Sequence, residues 1–302
     1  MVRTRGTRAR SRGDAALYAA NLWEQLVEGI EDARALDPLS STVHAGVARL
    51  LPNGPVKDAL SGTWLGHPAH PMLTDLPIGF WTSAFVLDLV GSRRARPVAE
   101  LFVGLGVVSA LPTAATGAAD WSDTDGSDRR VGLVHALTNG SAIALYAGSW
   151  RARRQGRYWR GVTLGMLGAT AATAGAYLGG HLFARRGVGV DHTAFDDGPI
   201  DWSPTVAEAV LSGTPTRVEL DGTPVMLLRH GTEVLALAAT CPHRGAPLDR
   251  GTVGPDTVTC PWHGSCFVLE TGELVRGPSA SPLPRYETRV RHGIVELRSV
   301  RG

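Results

Sequence analysis

Two short boxes, Cys241-Pro-His243-Arg-Gly245 and Cys260-Pro-Trp-His263-Gly-Ser265, carry the most legible chemistry in this chain. Each offers one thiolate and one imidazole, at C-x-H and C-x-x-H spacing, with sixteen residues between His243 and Cys260. Donors in that order can hold a [2Fe–2S] centre in which the thiolates bind one iron and the imidazoles the other. The same four side chains could also surround a structural zinc ion. Zinc fingers usually pair two thiolates in one knuckle and two imidazoles in the other, whereas each box here mixes them. The expected metal residues are Cys241, His243, Cys260 and His263, with an iron–sulfur centre preferred to zinc.

Gly245-Ala-Pro-Leu248 follows the first box, Phe267 and Gly272 follow the second, and Gly277-Pro-Ser-Ala-Ser-Pro-Leu283 comes after. With these flanks the pattern resembles the Rieske family. The resemblance implies that Cys241 and Cys260 hold the inner iron, while His243 and His263 hold the outer one and turn exposed edges to a redox partner. It also implies a third loop, stiffened by Pro278, Pro282 and Pro284, that limits solvent at the cluster. Two positions depart from the Rieske subunits of cytochrome bc complexes. Their two extra cysteines are replaced by Ala246 and Trp262, as in the ferredoxins of ring-hydroxylating systems. Of the Ser and Tyr that hydrogen-bond the sulfurs there, Ser265 is kept and Phe267 stands in for the Tyr. Hydrogen bonds to sulfur favour the reduced state, so a potential between the family extremes of about −150 and +300 mV is expected. The third cysteine, Cys266, reads as a packed thiol in a strand rather than a ligand.

The elements that must position these boxes fall into two unlike halves. Over 302 residues the formal net charge is only +2, which makes no case for nucleic-acid binding. Four apolar runs, roughly 72–90, 98–119, 131–150 and 161–183, approach membrane-spanning length and are separated by charged breaks. The entry Gly66-His67-Pro-Ala-His70-Pro-Met-Leu-Thr-Asp75-Leu-Pro77-Ile-Gly79 resembles a prokaryotic family of four-helix membrane domains with no assigned activity. After Asp201 the text changes to short strand-like runs joined by Asp221-Gly222, His230-Gly231 and His292-Gly293. The expected architecture is an α-helical four-span membrane bundle followed by a small all-β Rieske-type domain. Its expected parts are a tail and amphipathic helix at 1–62, the bundle at 63–190, a linker at 191–204 and the β domain at 205–300. Within the first part, residues 3–12 read as a disordered basic tail. Leu22, Trp23, Leu26, Val27 and Ile30 mark the apolar face of the helix.

Threading the chain through four crossings puts His67, His70, His135, His181 and Asp75 near the face that carries the β domain. Polar groups at that depth are costly, so these five are candidates for a haem or quinone site; helix capping and backbone hydrogen bonding are the plain alternative. The expected function is membrane-anchored transfer of single electrons between a donor and an acceptor, which are redox proteins or quinone. The alternatives are a ferredoxin component of an oxygenase system, or a non-redox membrane protein with a structural metal. An oxygenase catalytic subunit would need a further iron domain, for which about four residues after the last expected strand leave no room. The four apolar runs point to a multi-pass membrane protein, and an Arg-dominated, Ala/Gly-rich composition points to a bacterial, high-GC genome. The side on which the β domain lies is left open: Arg-rich loops at 91–97 and 151–160 favour outside, the absence of a leader favours inside.

Overall fold

The structure, a computed structural model, describes residues 12–300. Among the described residues, seven α-helices precede ten strands. Four of the helices are long: α4 (Ala69–Val90), α5 (Arg96–Trp121), α6 (Gly126–Arg154) and α7 (Tyr158–Ala184). Each covers one of the apolar runs expected from the sequence. Their ends follow local chemistry. Gly91 takes a left-handed conformation (φ 68°) to stop α4, and Pro97 occupies the first turn of α5, where its missing N–H costs nothing.

Small residues let these helices approach closely. Trp81 and Tyr146 stack with ring centroids 4.0 Å apart and share a core with Ala84, Val103 and Ala110. A Cβ on Gly168 would come within 2.9 Å of the Tyr146 ring, so that position requires glycine. Outward, the bundle is apolar: Phe85, Leu89, Leu101, Leu111 and Met166 are exposed. Two helices, α4 and α5, are long and apolar enough to cross a membrane. At the far end Arg153 makes a bidentate pair with Asp88 at 2.8 and 2.5 Å, and Tyr158 donates to the same carboxylate at 3.1 Å.

The first helix, α1 (Arg12–Glu31), packs on this bundle rather than standing apart. Val27 and Ile30 join a core with Val131, Leu178 and Leu182, and Trp23 lies 5.0 Å from Tyr177. Leu22 and Leu26 stay exposed. Of the basic tail read at residues 3–12, all but Arg12 lies outside the described residues, and Arg12 begins α1. Two helices were not foreseen, α2 (Asp37–Leu50) and α3 (Pro55–Ser61). Pro38 and Pro55 start them instead of breaking helices, because each stands in a first turn.

The β half has two antiparallel sheets. The larger runs β1 (Ser203–Ala207), β10 (Ile294–Ser299), β9 (Arg285–Arg291), β4 (Glu233–Ala238), β3 (Thr223–His230), β2 (Thr216–Leu220). The smaller runs in chain order, β5 (Thr252–Val253), β6 (Thr257–Thr259), β7 (Cys266–Val268), β8 (Leu274–Arg276). Asp221-Gly222 and His292-Gly293 both have positive φ, the tight-hairpin geometry their sequence predicts. The linker expected at 191–204 ends inside β1, which pairs with β10 through Ser203↔Leu297. The missed strand is short and contains a proline, so its pattern is too weak to read.

Candidate metal centre

The first ligand box follows β4 and the second joins β6 to β7, which brings both to one end of the small sheet. Each box closes on itself by backbone bonds. Cys241 N–H donates to Ala246 O (2.8 Å) and Gly245 N–H to Cys241 O (2.9 Å). Cys260 N–H donates to Ser265 O (2.8 Å) and Gly264 N–H to Cys260 O (3.2 Å). Gly245 and Gly264 hold φ of 72° and 80°, which lets each chain double back.

Inside these turns the four donors form two pairs. Cys241 and Cys260 are buried and hydrogen-bonded to one another. That bond and burial push the Cys241 thiol up. The bond, with backbone N–H groups of Trp262, His263 and Gly264, brings Cys260 down to about 6. The imidazoles of His243 and His263 meet edge to face with centroids 5.1 Å apart. Both Nδ1 atoms are buried without a hydrogen-bond partner. Burial lowers both histidines, His243 furthest, so they stand neutral with a free lone pair. Two thiols side by side and two orphaned imidazole nitrogens fit a binuclear iron–sulfur centre, since an unmet buried nitrogen is otherwise costly. Among the described residues, no three His, Cys, Asp or Glu side chains converge on a single metal-ion position.

Ser265 is buried beside Cys260, and its Oγ accepts the Ser279 N–H at 3.0 Å, tying the third loop to the second box. Pro278 is buried in that loop. Phe267 is fully buried in the core that contains Cys241 and Cys260. Cys266 lies half-buried in β7, opposite Thr259 and Arg276.

One expectation is corrected. The edge of His243 does not face solvent but the helical half. Asp123, in the turn after α5, places Oδ2 3.8 Å from His243 Nε2. Its Oδ1 accepts from Lys57 of α3 at 2.6 Å, and both side chains are only 5% exposed. Burial raises the Asp123 carboxyl, and Lys57 opposes that rise. Lys57 also reaches Asn53 Oδ1 (3.3 Å), whose amide donates to His263 O at 3.1 Å. Beside this network Arg244 pairs with Asp128 at 2.7 Å, and His192 N–H donates to Pro242 O at 2.9 Å. A cavity of about 30 Å³ borders His243, Asp120, Ser61 and Ser279, with room for a water or two. Sequence reading missed Lys57, Asn53, Asp123 and Asp128. One signal was available: Lys57 is the only lysine in the chain.

The histidines of the bundle do not gather at one point. His70 and His135 lie close, with centroids 6.4 Å apart, and each gives a nitrogen to a backbone carbonyl, Thr113 O and Gly175 O, both at 2.9 Å. His181 is held by Glu31 at 2.9 Å, His67 bonds Pro68 O at 3.1 Å, and Asp75 is exposed. Glu31, at the end of α1, is what claims His181.

A buried pair of Cys-His loops on a small antiparallel β domain defines an iron–sulfur electron-transfer module. Comparison with known proteins agrees. Residues 201–287 match the Rieske [2Fe-2S] domain, and residues 66–192 match a predicted membrane protein family, DUF2231. The chain thus carries a Rieske [2Fe-2S] domain after a domain that matches that membrane family, and its cofactor is a [2Fe–2S] cluster. Apoptosis-inducing factor 3 of Mus musculus is 36% identical over 88 residues, 29% of this chain and 14% of that protein. Ferredoxin CarAc of Metapseudomonas resinovorans is 39% identical over 56 residues, 18% of this chain and 52% of that protein. This chain therefore spans about half or less of the curated relatives it matches. Among solved structures, the ferredoxin of carbazole 1,9a-dioxygenase from Nocardioides aromaticivorans IC177 is 28% identical. The alignment covers 32% of this chain and 97% of that one, with a TM-score of 0.31.

Proposed function

We propose that this protein is a membrane-anchored Rieske electron carrier in which Cys241 and Cys260 bind one iron and His243 and His263 the other. When bound, the cluster supplies one reversible electron per cycle. The observation that carries the ligand assignment is the pairing of two hydrogen-bonded thiols with two buried, partnerless Nδ1 atoms. Around them the chain's own groups do the tuning. Backbone N–H groups of His243 and Arg244 point at the Cys241 sulfur, and those of Trp262, His263 and Gly264 at the Cys260 sulfur. Each such donor favours the more negative, reduced state. Ser265 keeps its O–H free to donate, because its oxygen is the acceptor of the Ser279 N–H.

The anchor in this reading is all four long helices, α4 to α7. Support comes from their lengths and from apolar residues facing out on the bundle. A 27-residue helix such as α7 reaches about 40 Å at 1.5 Å per residue, more than a bilayer's apolar core. Donor and acceptor are read as a redox protein on one side and a membrane partner, quinol included, on the other. A ferredoxin-like exchange with a soluble partner is favoured at one spot: Trp262 is 56% exposed and lies edge-on to His263 at 6.4 Å. His70 and His135 are the pair through which the bundle would hold a haem or quinone.

The test is twofold. His243→Ala and His263→Ala, purified in mild detergent, should each lose the visible iron–sulfur spectrum while keeping the helical circular dichroism of the parent. Membranes washed with alkaline carbonate should retain the wild-type chain; its release into the wash would remove the anchor from the proposal.

A further inference from the structure

A chain with 30 basic residues places its only lysine in a buried ion pair beneath a cluster ligand. Lys57 and Asp123 both belong to the helical half, yet the free oxygen of Asp123 is directed at a histidine of the β half. That oxygen, Oδ2, is buried and has no hydrogen-bond partner. It stands 3.8 Å from His243 Nε2, so closing by roughly 0.6–1 Å would make a hydrogen bond. The same lysine reaches His263 through Asn53, whose amide holds the His263 carbonyl. Both histidine loops are therefore seated on one ion pair.

We propose that Asp123 and Lys57 complete the redox site: Asp123 fixes the orientation of His243 and lowers the cluster's potential, and Lys57 offsets that effect. The inference rests on the ligand assignment above. Metal-bound imidazoles are commonly oriented by a carboxylate on their other nitrogen. One-electron reduction makes the site one unit more negative. A carboxylate at the ligand edge opposes reduction, and an ammonium beside it favours reduction. In so buried a place both charges act with little screening. Lysine suits the position because its charge is compact and its stem can follow a narrow path, which a guanidinium fork cannot. Neither residue is a ligand. Both are positioning residues, and the helical half is then part of the electron-transfer site and not only its anchor.

The test compares midpoint potentials of detergent-solubilised, cluster-loaded full-length protein, monitored by electron paramagnetic resonance. Asp123→Asn should raise the potential and Lys57→Met should lower it. Each should change the reduced-to-oxidised ratio at the wild-type midpoint at least tenfold, about 59 mV for one electron. The double variant should return toward the parent. Substitutions that merely loosen packing would move both potentials the same way. In the wild type, a reduced-minus-oxidised infrared difference spectrum should contain a carboxylate band that shifts on ¹³C-aspartate labelling, which keeps the test independent of variant folding. A fully loaded cluster whose potential ignores both substitutions, or same-sign shifts, or no such band, overturns this inference alone. Wild-type protein without iron and labile sulfide overturns the ligand assignment and this inference with it.

Discussion

Asp128→Asn should release the β half from the helices without unfolding either. Asp128 is buried in the first turn of α6 and splits its two oxygens between partners. Oδ2 holds Arg244 of the first ligand box at 2.7 Å, and Oδ1 holds Arg186 at 2.6 Å. Arg244 is 13% exposed, so removing its counter-charge strands a nearly buried cation, which costs ~3 kcal/mol. Arg186 is 39% exposed and belongs to the helical half, as Asp128 does, so losing that pair leaves the docking ratio unchanged. The Arg244 loss corresponds to roughly a 100-fold fall in the docked-to-separated ratio, at about 1.4 kcal/mol per decade. Hydrogen exchange can read that ratio directly. The His192 amide donates to Pro242 O across the contact, so its proton exchanges only when the segment lifts. Its exchange should speed by about two decades, while amides between β3 and β4, such as Leu237, keep the parent rate. Arg244→Met, which leaves the first turn of α6 its carboxylate, should act in the same direction. An unchanged His192 rate, or equal acceleration at His192 and Leu237, would refute the reasoning: the first denies the latch, the second shows global loss of stability.

Three further outcomes follow from named contacts. Arg153→Ala strands Asp88 inside the bundle and should lower its stability by about 3–5 kcal/mol, read as loss of detergent-stable protein on heating, whereas Arg154→Ala, at an exposed neighbouring position, should not. Cys266→Ser should leave the iron content and visible spectrum unchanged, because that thiol sits in β7 apart from the paired Cys241 and Cys260. Removing iron and sulfide should lower the melting temperature of the β half, since the Nδ1 atoms of His243 and His263 are then buried without partners, at about 1–3 kcal/mol each. Calorimetry of apo and loaded protein checks this.

The parts of this molecule that sequence exposes are those governed by local rules. Two Cys-His boxes announce a metal centre by their spacing, and their flanks favour a binuclear one. Asp221-Gly222 and His292-Gly293 announce their hairpins because few residues tolerate positive φ. The long helices follow from apolar runs whose ends are marked by Gly91 and Pro97. What sequence hides is long-range. Nothing local to Lys57, Asn53 or Asp123 says that residues far apart in the chain will meet at His243 and His263. The bundle histidines show the same limit. Membrane depth and facing can be estimated from crossings, but His181 is taken by Glu31 of α1, a partner 150 positions away. α2 and α3 are short, and each opens with a proline, Pro38 or Pro55, that stands in a first turn.

The central claim is that Cys241, His243, Cys260 and His263 hold a [2Fe–2S] centre. Iron and acid-labile sulfide analysis of the purified full-length chain, combined with pulsed electron paramagnetic resonance of the dithionite-reduced protein, tests it most directly. The account predicts equal iron and sulfide and a signal coupled to two histidine nitrogens, with both couplings shifted by ¹⁵N-histidine labelling and the whole signal lost in each of His243→Ala and His263→Ala. One equivalent of zinc without sulfide, or a signal free of nitrogen coupling, would contradict it.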